Sequence, residues 1–320
     1  MNPIRVTVPA TSANLGPGFD AFGVALDLYC TVTVGPREDQ RVVSTGKGAD
    51  ELPTDDGNLV WCALRSSCVR FGIDAPDITL HVDNAIPLER GLGSSAAAAV
   101  AGAALGRALA HGMGQGRGTA QGVGNPFADQ DLIDLAAELE GHPDNAAAAV
   151  LGGIVVCHDG VATRLDPTDR LMPVLCVPTT RQSTQAARNV LPHAISLGDA
   201  AVNSARAAVV LAGLTGLTAW DPSAMRDVLH EPSRLAMMAE SGSLIHALRA
   251  AGLSACLSGA GPSVLAVIET GDHAAIEMLR KTAGSQFAVR PSHWDRAGAM
   301  VTRRSSVRLY DQATDRQPSI

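Results

Sequence analysis

The sequence predicts an α+β fold, and three observations predict it. Strand-like segments crowd the first eighty residues, helical segments then follow in a block, and the second half returns to short strands flanked by helices. The helices do not alternate singly with strands, as βαβ units would require. Three loops of Gly, Ser, Pro and other small residues, at 11–20, 89–95 and 258–263, fall at element boundaries and are too small in side chain to fill a core. Such loops, framed by strands, favour a backbone-lined site for an anion, although each alone is most often an ordinary turn.

Taken in order, Ile4-Arg5-Val6-Thr7-Val8 alternates as a strand. Residues 9–20 read as a loop. Residues 24–34 are strand-rich with a break near Asp27, 35–40 read as a turn, and 41–44 as the hairpin partner. Residues 58–71 form a helix ended by Gly72, and 77–82 a further strand. A glycine-rich turn then opens into an alanine-rich helix at 95–110, followed by a stretch at 111–125 that holds six glycines and reads as a mobile surface loop. In the next helix, 129–140, Asp131, Asp134 and Glu138 share one face, while Leu132, Leu135, Ala136 and Leu139 line the other. A short alanine helix follows, then strands from Gly152 to Cys157 and from Val161 to Leu165, joined by a hairpin at Asp159-Gly160.

The spacing places a domain boundary near residue 172, giving domains 1–172 and 173–302 and a loose tail at 303–320. The second domain reads as a strand at 173–177, helices at 183–190, 197–214, 222–230, 233–239 and 243–250, strands at 253–257 and 264–268, a helix at 273–281 and a last strand at 297–301.

Composition narrows the function. Hydrophobic residues make up 46% and aromatics 3%, so the core must be aliphatic. A net charge of -7 without any basic block argues against nucleic acid as a partner. Six scattered cysteines without C-x-x-C suggest reduced core thiols in a cytoplasmic protein. No signal peptide opens the chain, and the glycine-broken alanine helix is not a membrane span. Only Lys47 and Lys281 are available to a lysine-dependent mechanism.

The stretch Pro87-Leu88-Glu89-Arg90-Gly91-Leu92-Gly93-Ser94-Ser95 organises the chain. Its glycines allow a tight turn and close backbone approach, and Ser94 or Ser95 suits the N-cap of the helix that follows. Amides at that helix start, backed by the macrodipole, form a phosphate site. No Walker A motif can be written here. Gly91, Gly93 and Ala96 match the relaxed dinucleotide spacing G-x-G-x-x-A. However, Pro87, Glu89 and Arg90 occupy the strand that should precede it, and His111-Gly112-Met113-Gly114 stands where the acidic residue should lie. On these nine residues alone, a plain capped helix start explains the pattern equally well.

Three ordered motifs decide between these readings. They are Pro9-Ala10-Thr11-Ser12-Ala13-Asn14-Leu15-Gly16-Pro17-Gly18-Phe19-Asp20, Gly91-Leu92-Gly93-Ser94-Ser95-Ala96-Ala97 and Leu257-Ser258-Gly259-Ala260-Gly261-Pro262-Ser263. Together they resemble the motifs of the galactokinase, homoserine kinase, mevalonate kinase and phosphomevalonate kinase (GHMP) superfamily. The first motif and Glu138-Leu139-Glu140-Gly141-His142-Pro143-Asp144-Asn145 resemble the homoserine kinase family in particular, as do Ser183-Thr184 with Arg188 and His230-Glu231-Pro232-Ser233-Arg234. The resemblance runs from about Ile4 to Ile268.

That resemblance implies an N-terminal mixed sheet with helices, like domain 2 of ribosomal protein S5, and a C-terminal ferredoxin-like α/β sandwich. It implies ATP-dependent phosphorylation of the L-homoserine side-chain hydroxyl to O-phospho-L-homoserine, in threonine biosynthesis, by a cytoplasmic enzyme, and it suggests a homodimer. ATP would lie along Pro87, Leu88, Glu89, Arg90, Gly91, Leu92, Gly93, Ser94, Ser95, Ala96 and Ala97, with Mg²⁺ held by Ser95 and Glu138. Homoserine would meet Asn14, Asp20, His142, Asn145, Thr184, Arg188 and Arg234, with Asn14, Asp20 and Asn145 nearest the chemistry. Arg188 and Arg234 suit a carboxylate because guanidinium binds it bidentately. Several relatives carry an aspartate where Asn145 stands, and an amide takes no proton at neutral pH, so no general base is assigned at that position; Asp20 stays open as a base, with substrate binding the role that suits it better. Two alternatives stay open: a superfamily kinase for a mevalonate-like acid, and a non-catalytic relative that binds nucleotide or amino acid.

Overall fold

Residues 4–112 and 126–303 are described in the computed structural model. The first sheet is built on one long hairpin, β1 (Ile4–Asn14) and β2 (Gly18–Gly35). The other strands of the first half are β3 (Val42–Gly46), β4 (Thr79–Asn84), β5 (Ile154–His158) and β6 (Val161–Leu165). Its helices are α1 (Leu59–Arg70), α2 (Ser94–Gly112), α3 (Pro126–Glu140) and α4 (Pro143–Leu151). The second half contains β7 (Leu171–Pro178), α5 (Thr184–Asn189), α6 (Leu197–Leu214), a 3-10 turn at Pro222–Met225, α7 (Glu231–Met237) and α8 (Ala239–Ala250). It continues through β8 (Ser254–Leu257), β9 (Val264–Glu269), α9 (His273–Ala283), β10 (Phe287–Pro291) and β11 (Met300–Arg303).

The seven-stranded first sheet runs β11-β1-β2-β4-β3, with β5 also on β2 and β6 on β5. Among the described residues, only β3 and β4 pair in parallel; the other pairs in this sheet are antiparallel. The strand break expected near Asp27 is a bulge: the register steps from Pro9↔Tyr29 to Ala10↔Leu26. The bulge lets β2 serve two partners, with Phe22, Gly23 and Val24 on β5 and Cys30 to Gly35 on β4.

Several sequence expectations change. Residues 9–14 are strand rather than loop; their small side chains are buried, and Ala10 to Ala13 pair with Leu26 to Gly23. β3 is not the hairpin partner of β2. β4 carries the buried pair Leu80 and Val82 and takes the inner place, leaving β3 with Ser44 and Thr45 at the edge. The helix expected at 222–230 is only a 3-10 turn, because the Asp227 carboxylate gathers the amides of Leu229, His230 and Glu231 to start α7 instead. β10 was not foreseen, and the last strand, β11, returns to β1 in the first sheet. Residues 113–125 of the glycine-rich stretch and the tail at 304–320 lie outside the described residues.

α2 and α4 are poor in bulk and rich in burial. Ala96, Ala97, Ala99, Ala101 and Ala103 on α2, and Ala146 to Ala149 on α4, are all fully buried. α1 packs on α2 closely enough for Ser67 Oγ to donate to the Ala103 carbonyl at 2.7 Å. Alanine therefore sets helix spacing here. Ala104→Leu is expected to force α2 off its neighbours and cost about 1–3 kcal/mol, read as a lower urea midpoint.

The second sheet, β10-β7-β9-β8, is antiparallel throughout and has its own core of Val174, Ile245, Leu248, Leu257, Val264 and Phe287. The six cysteines are free thiols. Among the described residues, α6 alone is long and apolar enough to cross a membrane by length and composition, and 22% of it is buried.

Candidate active site: a cavity walled by three glycine-rich loops

The three small-residue loops converge. The Thr11 amide donates to the Leu92 carbonyl at 3.1 Å, Gly259 N–H to Ala13 O at 3.1 Å, and Ser263 N–H to Arg90 O at 3.3 Å. Ser258 Oγ lies 2.8 Å from Ser12 Oγ and 2.7 Å from Gly91 O. Glycine is required at the crossing: Gly91 and Gly93 have φ of 69° and 66°. A Cβ on Gly91 would strike the Ser258 and Gly261 backbone, and one on Gly93 would strike the Thr11 hydroxyl.

These loops wall a cavity of about 550 Å³. Pro87 to Ser95 line it, whereas Ala96 and Ala97 are buried behind it in the core. The helix cap is Gly93, not Ser94 or Ser95, since Ala97 N–H makes its bond to Gly93 O at 2.9 Å. The two serines thus sit in the first turn, where amides have no intrahelical acceptor and the dipole is positive. The N-terminus of α4, at His142 to Asn145, reaches the same cavity. Arg90 contributes only backbone here: its guanidinium is spent on the carbonyls of Leu88, Pro178 and Thr179.

Glu138 is not in the site. It is 62% exposed and faces Arg70 at 3.4 Å, on the solvent side of α3. Glu140, two residues on and across the helix, lines the cavity and accepts a hydrogen bond from Ser95. Burial pushes its carboxyl up, opposed by the Ser95 bond alone. A half-buried carboxylate with a hydroxyl beside it and no basic partner suits a hard divalent cation that takes its other ligands from phosphate and water.

The residues expected around homoserine are brought together, with some already engaged. Asn14 donates to Gly259 O at 2.9 Å and accepts from Asp20 N–H at 3.1 Å. Asn14 (φ 71°) and Asp20 (φ 54°) both hold left-handed backbone, a strain common at working sites. Asp20 is bound bidentately by Arg188, at 2.8 and 3.1 Å. Asn145 accepts from Thr11 Oγ1 at 2.7 Å. Thr184 lines the cavity at the start of α5. Both ring nitrogens of His142 are buried without a protein partner, and burial, then Arg188, lowers its pKa.

Arg234 is 2% exposed. Nε donates to Ala187 O at 3.3 Å, and Nη1 to Gly259 O at 3.2 Å and His230 Nδ1 at 3.1 Å. Nη2 has no protein acceptor among the described residues, and Arg234 borders the cavity.

Asp144 is 1% exposed and its pKa is pushed up to about 6 by burial, with Asp20 adding to it and the Asn145 amide opposing it. A carboxyl raised on folding stabilises the fold at low pH and loses that advantage as pH rises from 3.8 to about 6. Asp144→Asn is accordingly expected to flatten the fall in unfolding free energy over that window, read by denaturant titration at several pH values.

Sequence motifs missed the other end of the cavity, formed by Cys30, Ser44, Asn58, Leu59, Val60, Val82 and Asn84. They come from four separate elements and share no local pattern. Ser44 Oγ is buried there without a partner. At the mouth, Arg181 binds Glu51 bidentately at 2.5 and 2.7 Å.

A two-sheet α+β fold with helix amides and a half-buried carboxylate on one cavity defines a phosphate-handling small-molecule enzyme. The model for the GHMP kinases N terminal domain matches residues 58–153, and that for GHMP kinases C terminal matches residues 219–283. The chain is 39% identical over 303 residues to a homoserine kinase of Streptomyces avermitilis, covering 93% of this chain and 95% of that one. It is 40% identical over 303 residues to the homoserine kinase of Streptomyces coelicolor, covering 93% and 94%. The crystal structure of homoserine kinase from Cytophaga hutchinsonii superposes with a TM-score of 0.78 at 28% identity, covering 94% of this chain and 98% of that one. The chain belongs to the GHMP kinase family.

Proposed function

We propose that this chain is an ATP-dependent homoserine kinase, transferring the γ-phosphoryl group to the side-chain hydroxyl of L-homoserine to give O-phospho-L-homoserine and ADP, a step of threonine biosynthesis. One observation carries the reading: a buried guanidinium, Arg234, with one nitrogen unengaged, borders the same cavity as the first-turn amides of α2. One end suits a polyphosphate and the other an amino-acid carboxylate. The relatives of similar length bear the same activity in their names.

In this reading the backbone from Pro87 to Ser95 binds the phosphates, and the pocket around Ser44, Asn58 and Asn84 takes the nucleoside. Ser95 and Glu140 would hold Mg²⁺, which neutralises charge on the phosphates when bound. Asn14, His142, Asn145 and Thr184 surround the amino alcohol, and Arg234 orients its carboxylate. Arg188 acts through Asp20, whose two oxygens it holds. Neither Asn145, an amide, nor the engaged Asp20 serves as a base. Positioning and electrostatics do the work, as phosphoryl transfer requires. A cytoplasmic setting and a homodimer are part of the same proposal.

A coupled ADP-release assay with purified protein over homoserine, mevalonate, galactose and shikimate tests it. Homoserine should give by far the highest kcat/KM. Higher turnover with mevalonate would reassign the substrate, and no release above background with any acceptor would leave a non-catalytic binder.

A further inference from the structure

His230 is fully buried beside the cavity rather than in its wall. Its ring is bonded on both edges: Nε2 to the Gly16 carbonyl at 3.1 Å, and Nδ1 to Arg234 Nη1 at 3.1 Å. A carbonyl can only accept and a guanidinium can only donate, so Nε2 carries the proton and Nδ1 is bare. Asp227 Oδ1, 3.6 Å from Nε2, favours the same tautomer. Burial holds the imidazole pKa down to about 4, with Arg234 acting in the same direction and Asp227 against it. The ring also stacks on Phe19, with centroids 5.3 Å apart, and the guanidinium carbons of Arg234 and Arg188 lie 5.4 and 5.7 Å from the centre of the Phe19 ring. Gly16 belongs to the turn between Asn14 and Asp20. One ring therefore joins that turn to the buried guanidinium.

We propose that His230 is a positioning residue: a neutral imidazole, protonated on Nε2, that fixes Arg234 Nη1 and so registers the guanidinium against the turn from Asn14 to Asp20 for the substrate carboxylate. This rests on the reading in which Arg234 grips that carboxylate. Among ordinary side chains, only one offering an acceptor and a donor about two ångströms apart fills the role, which an imidazole or a carboxamide does and a cation does not.

The test compares L-homoserine with 3-aminopropan-1-ol, the same amino alcohol without its carboxylate. His230→Phe keeps the stacked ring and deletes both bonds. It is expected to lower kcat/KM for homoserine about tenfold or more, mainly through KM, with the ATP KM and the rate on the amino alcohol unchanged. His230→Gln, which restores an acceptor and a donor, should recover most of the loss. Equal losses on both acceptors, or an equal rise in the ATP KM, would overturn the proposal in favour of a purely structural role. Arg234→Met separates the two levels. If it abolishes the preference for homoserine while His230→Phe retains it, the positioning role alone falls. If Arg234→Met itself retains the preference, the carboxylate reading falls and takes this role with it. Nitrogen-15 NMR of the wild-type ring is an independent check: a proton on Nε2 and a bare Nδ1 at neutral pH support the role, and an imidazolium or the other tautomer overturns it.

Discussion

Glu140→Gln is expected to lower kcat by about 10²- to 10³-fold and to raise the Mg²⁺ concentration needed for half-maximal rate, as loss of a charge that organises the transition state does. Glu138→Gln should leave both unchanged. The contrast follows from which side of α3 each glutamate occupies. Glu138 faces solvent and Arg70, where an exposed pair contributes little. Glu140 is drawn inward beside Ser95 and stays there without a basic partner to offset its burial. Magnesium titrations of the two variants, run side by side with the wild type, check this. Loss of Mg²⁺ dependence in Glu138→Gln and not in Glu140→Gln would reverse the assignment.

Arg234→Met is expected to reduce kcat/KM for homoserine by about 30-fold to several thousand-fold, the range set by about 2–5 kcal/mol for truncating a buried charge that meets another. The loss should fall on the homoserine KM and leave nucleotide affinity in place, because Arg234 contacts Gly259, His230 and Ala187 and makes no hydrogen bond to the loop from Pro87 to Ser95. Initial-rate kinetics with each substrate varied, together with nucleotide titration by calorimetry, separate the two effects. Asn14→Ala should follow the same pattern, since Asn14 joins Gly259 to Asp20 at the same end. If either variant loses ATP binding first, the two ends of the cavity have been exchanged.

Much of this arrangement was legible in the residues, and the parts that were not have physical reasons. The loop from Gly91 to Ser95 could be read because glycine and serine at a helix start have few uses, and two positive φ angles at the crossing now account for them. The boundaries of α6 and the hairpin at Asp159-Gly160 follow from apolar spacing and turn chemistry. Glu140 was missed although the information was present. Asp131, Asp134 and Glu138 form one polar face, so the glutamate two residues further on had to point elsewhere, but which side of α3 met α2 is a tertiary fact. The pairing of β3 with β4 was equally out of reach, since neighbours in sequence commonly pair and nothing local announces an inserted strand. The end of the cavity proposed for the nucleoside, with Ser44, Asn58 and Asn84 drawn from separate elements, exists only once the sheet is assembled. His230 opens a motif quoted for the family and Asp227 lies in a stretch read as helix, but their bonds to Arg234, Gly16 and the start of α7 appear only in three dimensions.

A crystal structure with a non-hydrolysable ATP analogue, Mg²⁺ and L-homoserine tests the central claim most directly. The account expects the triphosphate against the amides from Gly91 to Ser95, the metal between Ser95 and Glu140, and the homoserine hydroxyl turned toward the γ-phosphate with its carboxylate on Arg234. A triphosphate bound away from the α2 N-terminus, or homoserine absent from the Arg234 end while saturating in solution, would contradict it.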